Sequence, residues 1–193
     1  MRKYRHYLFI FIAVIFNFTA CSKTYKIGEN CPAGGIVFYD KGFEQDGWRY
    51  LSAAPASSEF NAEWGTYRTT VYSTQTGIGT GKANTQILNT KLQELDETGR
   101  ASQLCVALNI GGKNDWFLPS KDELNLMYLN LHKNGLGDFG KGTNSEDWMN
   151  WVYWSSSQFN DDYDYAWLQF FDSGDQINGF KNNSDRVRAV RAF

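Results

Sequence analysis

The apolar pattern of this chain changes period twice, and that change restricts the fold more than any other feature. Ile36-Val37-Phe38-Tyr39 is a short β-rich run, Asp40-Lys41-Gly42 reads as a turn, and Trp48-Arg49-Tyr50-Leu51 reads as a second strand. From residue 84 the spacing becomes helical. Residues 84–95 suit one helix, and Ala101, Leu104, Cys105 and Leu108 recur at i, i+3, i+4, i+7 in a second piece over 100–108. The clearest helix spans about 121–133. Ser120 and Glu123 form a capping box, Leu124, Met127, Tyr128 and Leu131 its stripe, and Gly135 its stop. After residue 150 the pattern returns to strands at 151–154 and 166–171, a hairpin through 172–175 to 176–180, and a last strand at 186–193. In that strand Val187, Ala189 and Arg191 share a face, which predicts a buried Arg or a bulge. The result is an α+β domain, helices in the middle and an antiparallel sheet built from both ends. Residues 55–82, rich in Ser, Thr and Gly, read as a long structured loop anchored by Trp64 and Tyr67.

The first twenty-one residues read as an address. Arg2, Lys3 and Arg5 precede an apolar run from Tyr7 to Phe18, too short to span a bilayer but suited to a signal peptide. Phe18-Thr19-Ala20-Cys21 resembles a bacterial lipobox, with Phe18 where Leu is preferred. The expected division is a signal peptide over 1–20, a tether from lipidated Cys21 to residue 30, and one domain over 31–193. A secreted protein cut nearby and an uncleaved short anchor are the alternatives. Ser22, rather than an acidic residue, follows Cys21, which favours outer-membrane or surface delivery. Loss of Arg2, Lys3 and Arg5 moves the net charge from −2 to −5, unsuited to nucleic acid. Cys31 and Cys105 then remain, and two readings stand: a disulfide, or buried free thiols.

Few motifs carry chemistry. Gly77-Ile78-Gly79-Thr80-Gly81-Lys82-Ala83 superficially suggests a phosphate loop. Thr76 stands where the first Gly belongs, and Ala83 cannot reach magnesium, so a Gly-rich turn before a helix is the better reading. His132, alone after the signal peptide, fits a solvated helix C-terminus, and no nucleophile–base pair is legible. One His and two distant Cys give no zinc set. Calcium needs only oxygens, and Asn160-Asp161-Asp162-Tyr163-Asp164 supplies four such side chains in five residues, with Asp172, Asp175 and Asp185 as further candidates. No EF-hand spacing occurs, and a solvated acidic loop is the plainer reading. Among the aromatic residues, 17% of the chain, Trp116 and Trp154 suit the core. Tyr163 and Tyr165 suit a ligand.

Five ordered segments resemble one family. They are the stretch from Cys31-Pro32-Ala33-Gly34-Gly35 to Gly42; Ile78-Gly79-Thr80-Gly81-Lys82-Ala83-Asn84-Thr85; Asp115-Trp116-Phe117-Leu118-Pro119-Ser120-Lys121-Asp122-Glu123-Leu124; Tyr153-Trp154-Ser155-Ser156-Ser157; and Val187-Arg188-Ala189-Val190-Arg191. Together they resemble the Lcl C-terminal domain family across residues 31–193. The resemblance implies a C-type-lectin-like or sulfatase-modifying-factor-like fold whose two ends meet in one sheet. It also implies a bacterial, often lipid-anchored, surface protein. The cysteine pair of the formylglycine-generating relatives has no counterpart after Cys105, and the calcium-binding tripeptides of C-type lectins do not occur.

The expectation is therefore a non-catalytic, lipid-anchored envelope protein that binds a glycan or a protein. Loops 55–75 and 138–165 would present the contacts, with Asp161, Asp162, Tyr163, Asp164 and Tyr165 foremost. Lys133, Lys141 and Lys181 are candidates for a basic patch. No cofactor is expected. The alternatives are a structural subunit of an envelope assembly and an enzyme of unknown reaction.

Overall fold

The structure, a computed structural model, describes residues 23–140, 151–159 and 162–193. Its strands are β1 (Ile36–Gln45), β2 (Trp48–Ala53), β3 (Phe60–Glu63), β4 (Val152–Gln158), β5 (Tyr165–Phe170), β6 (Gln176–Phe180), β7 (Ser184–Val187) and β8 (Val190–Ala192). Three helices, α1 (Gly81–Glu94), α2 (Ala101–Ala107) and α3 (Lys121–Asn130), separate β3 from β4. The α+β class and the central helices stand as read from sequence. The strands, however, form two sheets rather than one. A three-stranded antiparallel sheet has the order β1-β2-β8, and a five-stranded sheet has the order β3-β7-β4-β5-β6. The second is mixed, because β4 and β7 run parallel.

The last strand of the sequence reading is divided between these sheets. β7 pairs with β3, β8 pairs with β2, and Arg188 and Ala189 carry the chain across. This explains the broken alternation. The buried arginine is Arg188, 1% exposed, whereas Arg191 is half-buried and meets Asp115 at 2.5 Å. Arg188 Nε donates to Glu59 Oε1 at 2.6 Å, and its other nitrogens donate to Ala54 O and Gly137 O. Arg186 Nη1 and Tyr153 Oη converge on the same carboxylate. The guanidinium's five donors suit such a joint between two sheets.

The first hairpin turns at Asp46–Gly47, beyond the expected site. Asp40 keeps the strand going: its carboxylate accepts from Gly42 N and from the Arg49 guanidinium, and the register slips between Asp40 and Gln45. The Arg49 bond holds the Asp40 carboxyl below its usual range. α3 has the expected capping box, with Ser120 N donating to Glu123 Oε2 at 2.8 Å and Glu123 N to Ser120 Oγ. Helix α3 stops at Asn130, and Gly135, at φ 70°, closes a 3-10 turn over His132–Asn134. His132 is not solvated as expected: its ring packs within 5.7 Å of Tyr128, Trp151 and Phe171. Desolvation there lowers its basicity.

Two apolar clusters fill the domain. One joins Trp64, Trp116 and Trp154 with Leu88 and Leu118; the other joins Phe38, Leu51, Met127, Tyr153 and Phe171. Trp116 and Trp154 are core, as expected. Cys31 and Cys105 both lie in the first cluster as free thiols, so the disulfide reading gives way to the buried-thiol reading. Desolvation pushes the Cys105 thiol far up.

Candidate functional site

The β5–β6 ladder positions the candidate residues. Side chains alternate between the faces of a strand. Ala166, Leu168 and Phe170 face the core, which leaves Tyr165, Trp167 and Gln169 on the other side of β5. Across the ladder Phe180 pairs with Tyr165 and Asn178 with Trp167. The Tyr165 and Phe180 rings lie 4.3 Å apart, and Tyr67 meets Phe180 edge-on at 6.5 Å. Trp167 is flanked by Phe159 at 5.1 Å and by Lys121, whose Nζ stands 3.5 Å from the ring centroid. Tyr163 is 52% exposed and Phe180 43%. Tyr67, Tyr165, Trp167 and Phe180 thus form a partly exposed aromatic face, and the exposed Tyr163 lies in the turn that leads into β5.

The acidic turn borders this face. Asp164 N donates to Asp162 Oδ1 at 2.9 Å, and Tyr165 N to Asp162 O at 3.3 Å, so Asp162 holds the turn's shape. Burial, reinforced by the charges of Asp162 and Asp164, raises the Tyr165 phenol. Asp161 lies outside the described residues, as do Cys21, Asn160, Trp148 and Lys141. Asp172 and Asp175 are elsewhere, tied to Ser173 in the β5–β6 turn. Among the described residues no three acidic, Cys or His side chains are placed to hold a metal ion, so the calcium set considered from sequence is not assembled there.

Sequence reading missed what lies beneath. Lys181 was a candidate for a basic surface patch, yet it is fully buried. Its Nζ donates to Gln158 Oε1 at 2.8 Å and Thr69 O at 2.9 Å, and stands 4.8 Å from the Trp64 ring centroid. Desolvation brings its pKa down to about 7, partly offset by the charges of Asp164, Asp162 and Glu97. Lys181 N also donates to Asp164 O, and Val71 N donates to Gln158 Oε1 at 2.6 Å. These bonds bring the loop around residues 67–75 and the acidic turn to one place. Residues 138–165 are not one loop, since β4 runs through them fully buried. Nearby in sequence, Asp185 Oδ2 is buried with no hydrogen-bond partner among the described residues, and burial raises that carboxyl to about 6.

The Gly-rich turn is an occupied anion site rather than an open one. Glu123 Oε1 accepts from Gly79 N at 2.8 Å and Gly81 N at 3.5 Å. This carboxylate starts α1 three residues earlier than the apolar spacing predicts, because it satisfies helix N-terminal donors from 42 residues away. A side chain at position 81 would collide with the Glu123 carboxylate and Ser120 N, which explains the glycine. Desolvation raises Glu123 to about 7 despite these bonds. Beside it, Trp48, Leu51, Lys82, Gln86 and Phe117 line a cleft of about 300 Å³.

The motif segments hold one another. Trp64 Nε1 donates to Ser155 O, Trp154 Nε1 to Ala62 O, Ser156 N to Pro119 O, and Ser157 Oγ to Gln75 O. Phe117 and Val190 exchange backbone bonds at 2.9 Å. Their chemistry here is structural, and the aromatic face lies outside them. The molecule is thus an α+β domain with a motif-built frame and a shallow ring-lined surface. It belongs to the Lcl C-terminal domain family, which it matches over residues 69–191. Membership makes it a bacterial envelope-associated domain. The matched span is completed by residues before it, since β8 pairs with β2 and β7 with β3. No curated protein matches the chain.

Proposed function

We propose that this is a lipid-anchored, non-catalytic envelope domain that binds a glycan through the aromatic face of β5 and β6. The observation that carries the reading is the group Tyr67, Tyr165 and Phe180, partly exposed, with the exposed Tyr163 in the adjoining acidic turn between Asp162 and Asp164 and with Asn178 two residues before Phe180 on β6. Ring faces offer flat apolar contact to the C–H face of a sugar, and carboxylates and amides offer hydrogen bonds to its hydroxyls. The surface position of the turn fits recognition rather than a water-excluding reaction. The pairing of β1 and β2 with β8, so that both chain ends share a sheet, supports a lectin-like or sulfatase-modifying-factor-like type of fold. The lipobox-like Phe18-Thr19-Ala20-Cys21 supports anchoring at the outer membrane or cell surface.

The test is a glycan and matrix-protein array probed with the purified protein, with and without calcium. Binding that disappears in Tyr163→Ala and Asp162→Asn supports the reading. Binding that survives both substitutions, or occurs only to proteins, overturns the glycan site.

A further inference from the structure

The segment ahead of the domain is pinned along one strand, and this fixes the direction in which it runs. Gly28 N donates to Val37 O at 2.8 Å, Val37 N to Glu29 O at 2.9 Å, and Cys31 N to Gly35 O at 2.8 Å. Asn30 bridges Ile36 in antiparallel sense. Followed back toward the N-terminus, the segment therefore travels as β1 does, toward the β1–β2 turn. Tyr25 is its outermost firm anchor. The Tyr25 N–H donates to Tyr50 Oη at 3.1 Å, and its ring meets Tyr50 and Phe193 edge-on at 5.4 and 5.5 Å. Tyr50 pairs with Asp40, so Tyr25 stands at the root of the hairpin's outer half. Four peptide units separate Tyr25 from Cys21, a reach of at most ~14 Å.

That outer half carries an exposed apolar ring. Phe43 is 61% exposed, in the bulged stretch between Asp40 and Gln45 where pairing lapses. Lys41 Nζ lies 3.7 Å from the Trp48 ring centroid and donates to Gln45 O, which braces the hairpin from within. Ile27, on the tether, is 42% exposed. The charges carried by residues 23–50 themselves balance: Lys23, Lys26, Lys41 and Arg49 against Glu29, Asp40, Glu44 and Asp46, with Arg49 and Asp40 paired at 2.7 Å.

We infer that the tip of the β1–β2 hairpin is a second membrane contact, with Phe43 seated at the headgroup–acyl boundary of the bilayer that holds Cys21. The inference rests on the lipid-anchored reading. One ring is too small an apolar area to hold a domain on a membrane by itself, so the lipid supplies the attachment and the hairpin sets the orientation. Charge balance makes the contact apolar in character, independent of anionic lipid.

The test uses the full chain, lipidated and reconstituted in phosphatidylcholine vesicles. A nitroxide is placed at Glu44→Cys and, separately, at Asn178→Cys on β6; Cys31 and Cys105 are buried and do not label. The mass of the N-terminal peptide reports lipid on Cys21 independently. The expected result is an oxygen-to-nickel-chelate accessibility ratio several-fold higher at position 44 than at 178. That ratio should fall to the 178 level when Phe43→Ser is added, and should not change on adding phosphatidylglycerol. Equal ratios at 44 and 178 with lipid present on Cys21 overturn the hairpin contact alone. A ratio that ignores Phe43→Ser, or that requires phosphatidylglycerol, overturns it as well. Absence of lipid on Cys21 overturns the anchoring reading itself.

Discussion

Arg188 and Lys181 are both fully buried cations, and their surroundings differ in kind. Arg188 has a carboxylate at 2.6 Å and two backbone carbonyls, so its charge is paired where the two sheets meet. Among the described residues Lys181 Nζ donates to neutral acceptors, Thr69 O and Gln158 Oε1, beside the Trp64 ring. The first arrangement joins the two sheets through a paired charge. The second places a charge that burial disfavours directly under the surface proposed to bind ligand. The difference teaches where this molecule is fixed and where it is adjustable.

The largest expected effect tests the paired cation. Glu59→Ala strands Arg188 without its counter-ion and should cost about 3–5 kcal/mol, read by urea unfolding. A cost below 1 kcal/mol would break the comparison. Lys181 shows itself through pH. Because Lys181 titrates near 7 when folded and near 10.5 when unfolded, the unfolded chain binds more protons between those values, and stability rises with pH across that window. The expected gain is on the order of 2–4 kcal/mol, and Lys181→Met should flatten the slope. An unchanged slope in Lys181→Met would remove Lys181 as its cause.

Asp185 sharpens the contrast from the acidic side. Its carboxyl, raised to about 6, favours the protonated form in the fold, so stability falls as pH rises from about 4 to about 6. Asp185→Asn should stabilise the protein by about 1–3 kcal/mol at pH 7.5 and leave it nearly unchanged at pH 3.5, measured by thermal unfolding. The smallest effect on stability belongs to the exposed face. Tyr163→Ala should stay within about 0.5 kcal/mol of the native protein while abolishing any array binding. A large loss of stability would make Tyr163 part of the frame.

Much of the frame was legible in the chain. The i, i+3, i+4 stripes gave α2 and α3, Ser120 and Glu123 gave the capping box, and Trp116 and Trp154 were placed in the core by their surroundings. Errors arose where a distant partner decided a local outcome. Asp40-Lys41-Gly42 looks like a turn until Arg49 reaches across the hairpin to Asp40. His132 looks solvated until Trp151 and Phe171 pack on it. Of the candidate site, Tyr163, Asp162, Asp164 and Tyr165 were legible as an acidic, ring-bearing turn. Tyr67 and Phe180 as their neighbours were not, because loop and ladder contacts have no period.

The sequence by itself determined the class of fold, the helix starts that depend on nearby residues, and the family, because periodicity and capping are local. Tertiary structure alone decided that the last strand divides between two sheets, that Glu123 fills the Gly-rich turn, and that Lys181 is buried rather than exposed. Each of these depends on a partner at least 23 residues away. A lone Lys, Glu or Arg carries no mark of whether water or protein will surround its charge.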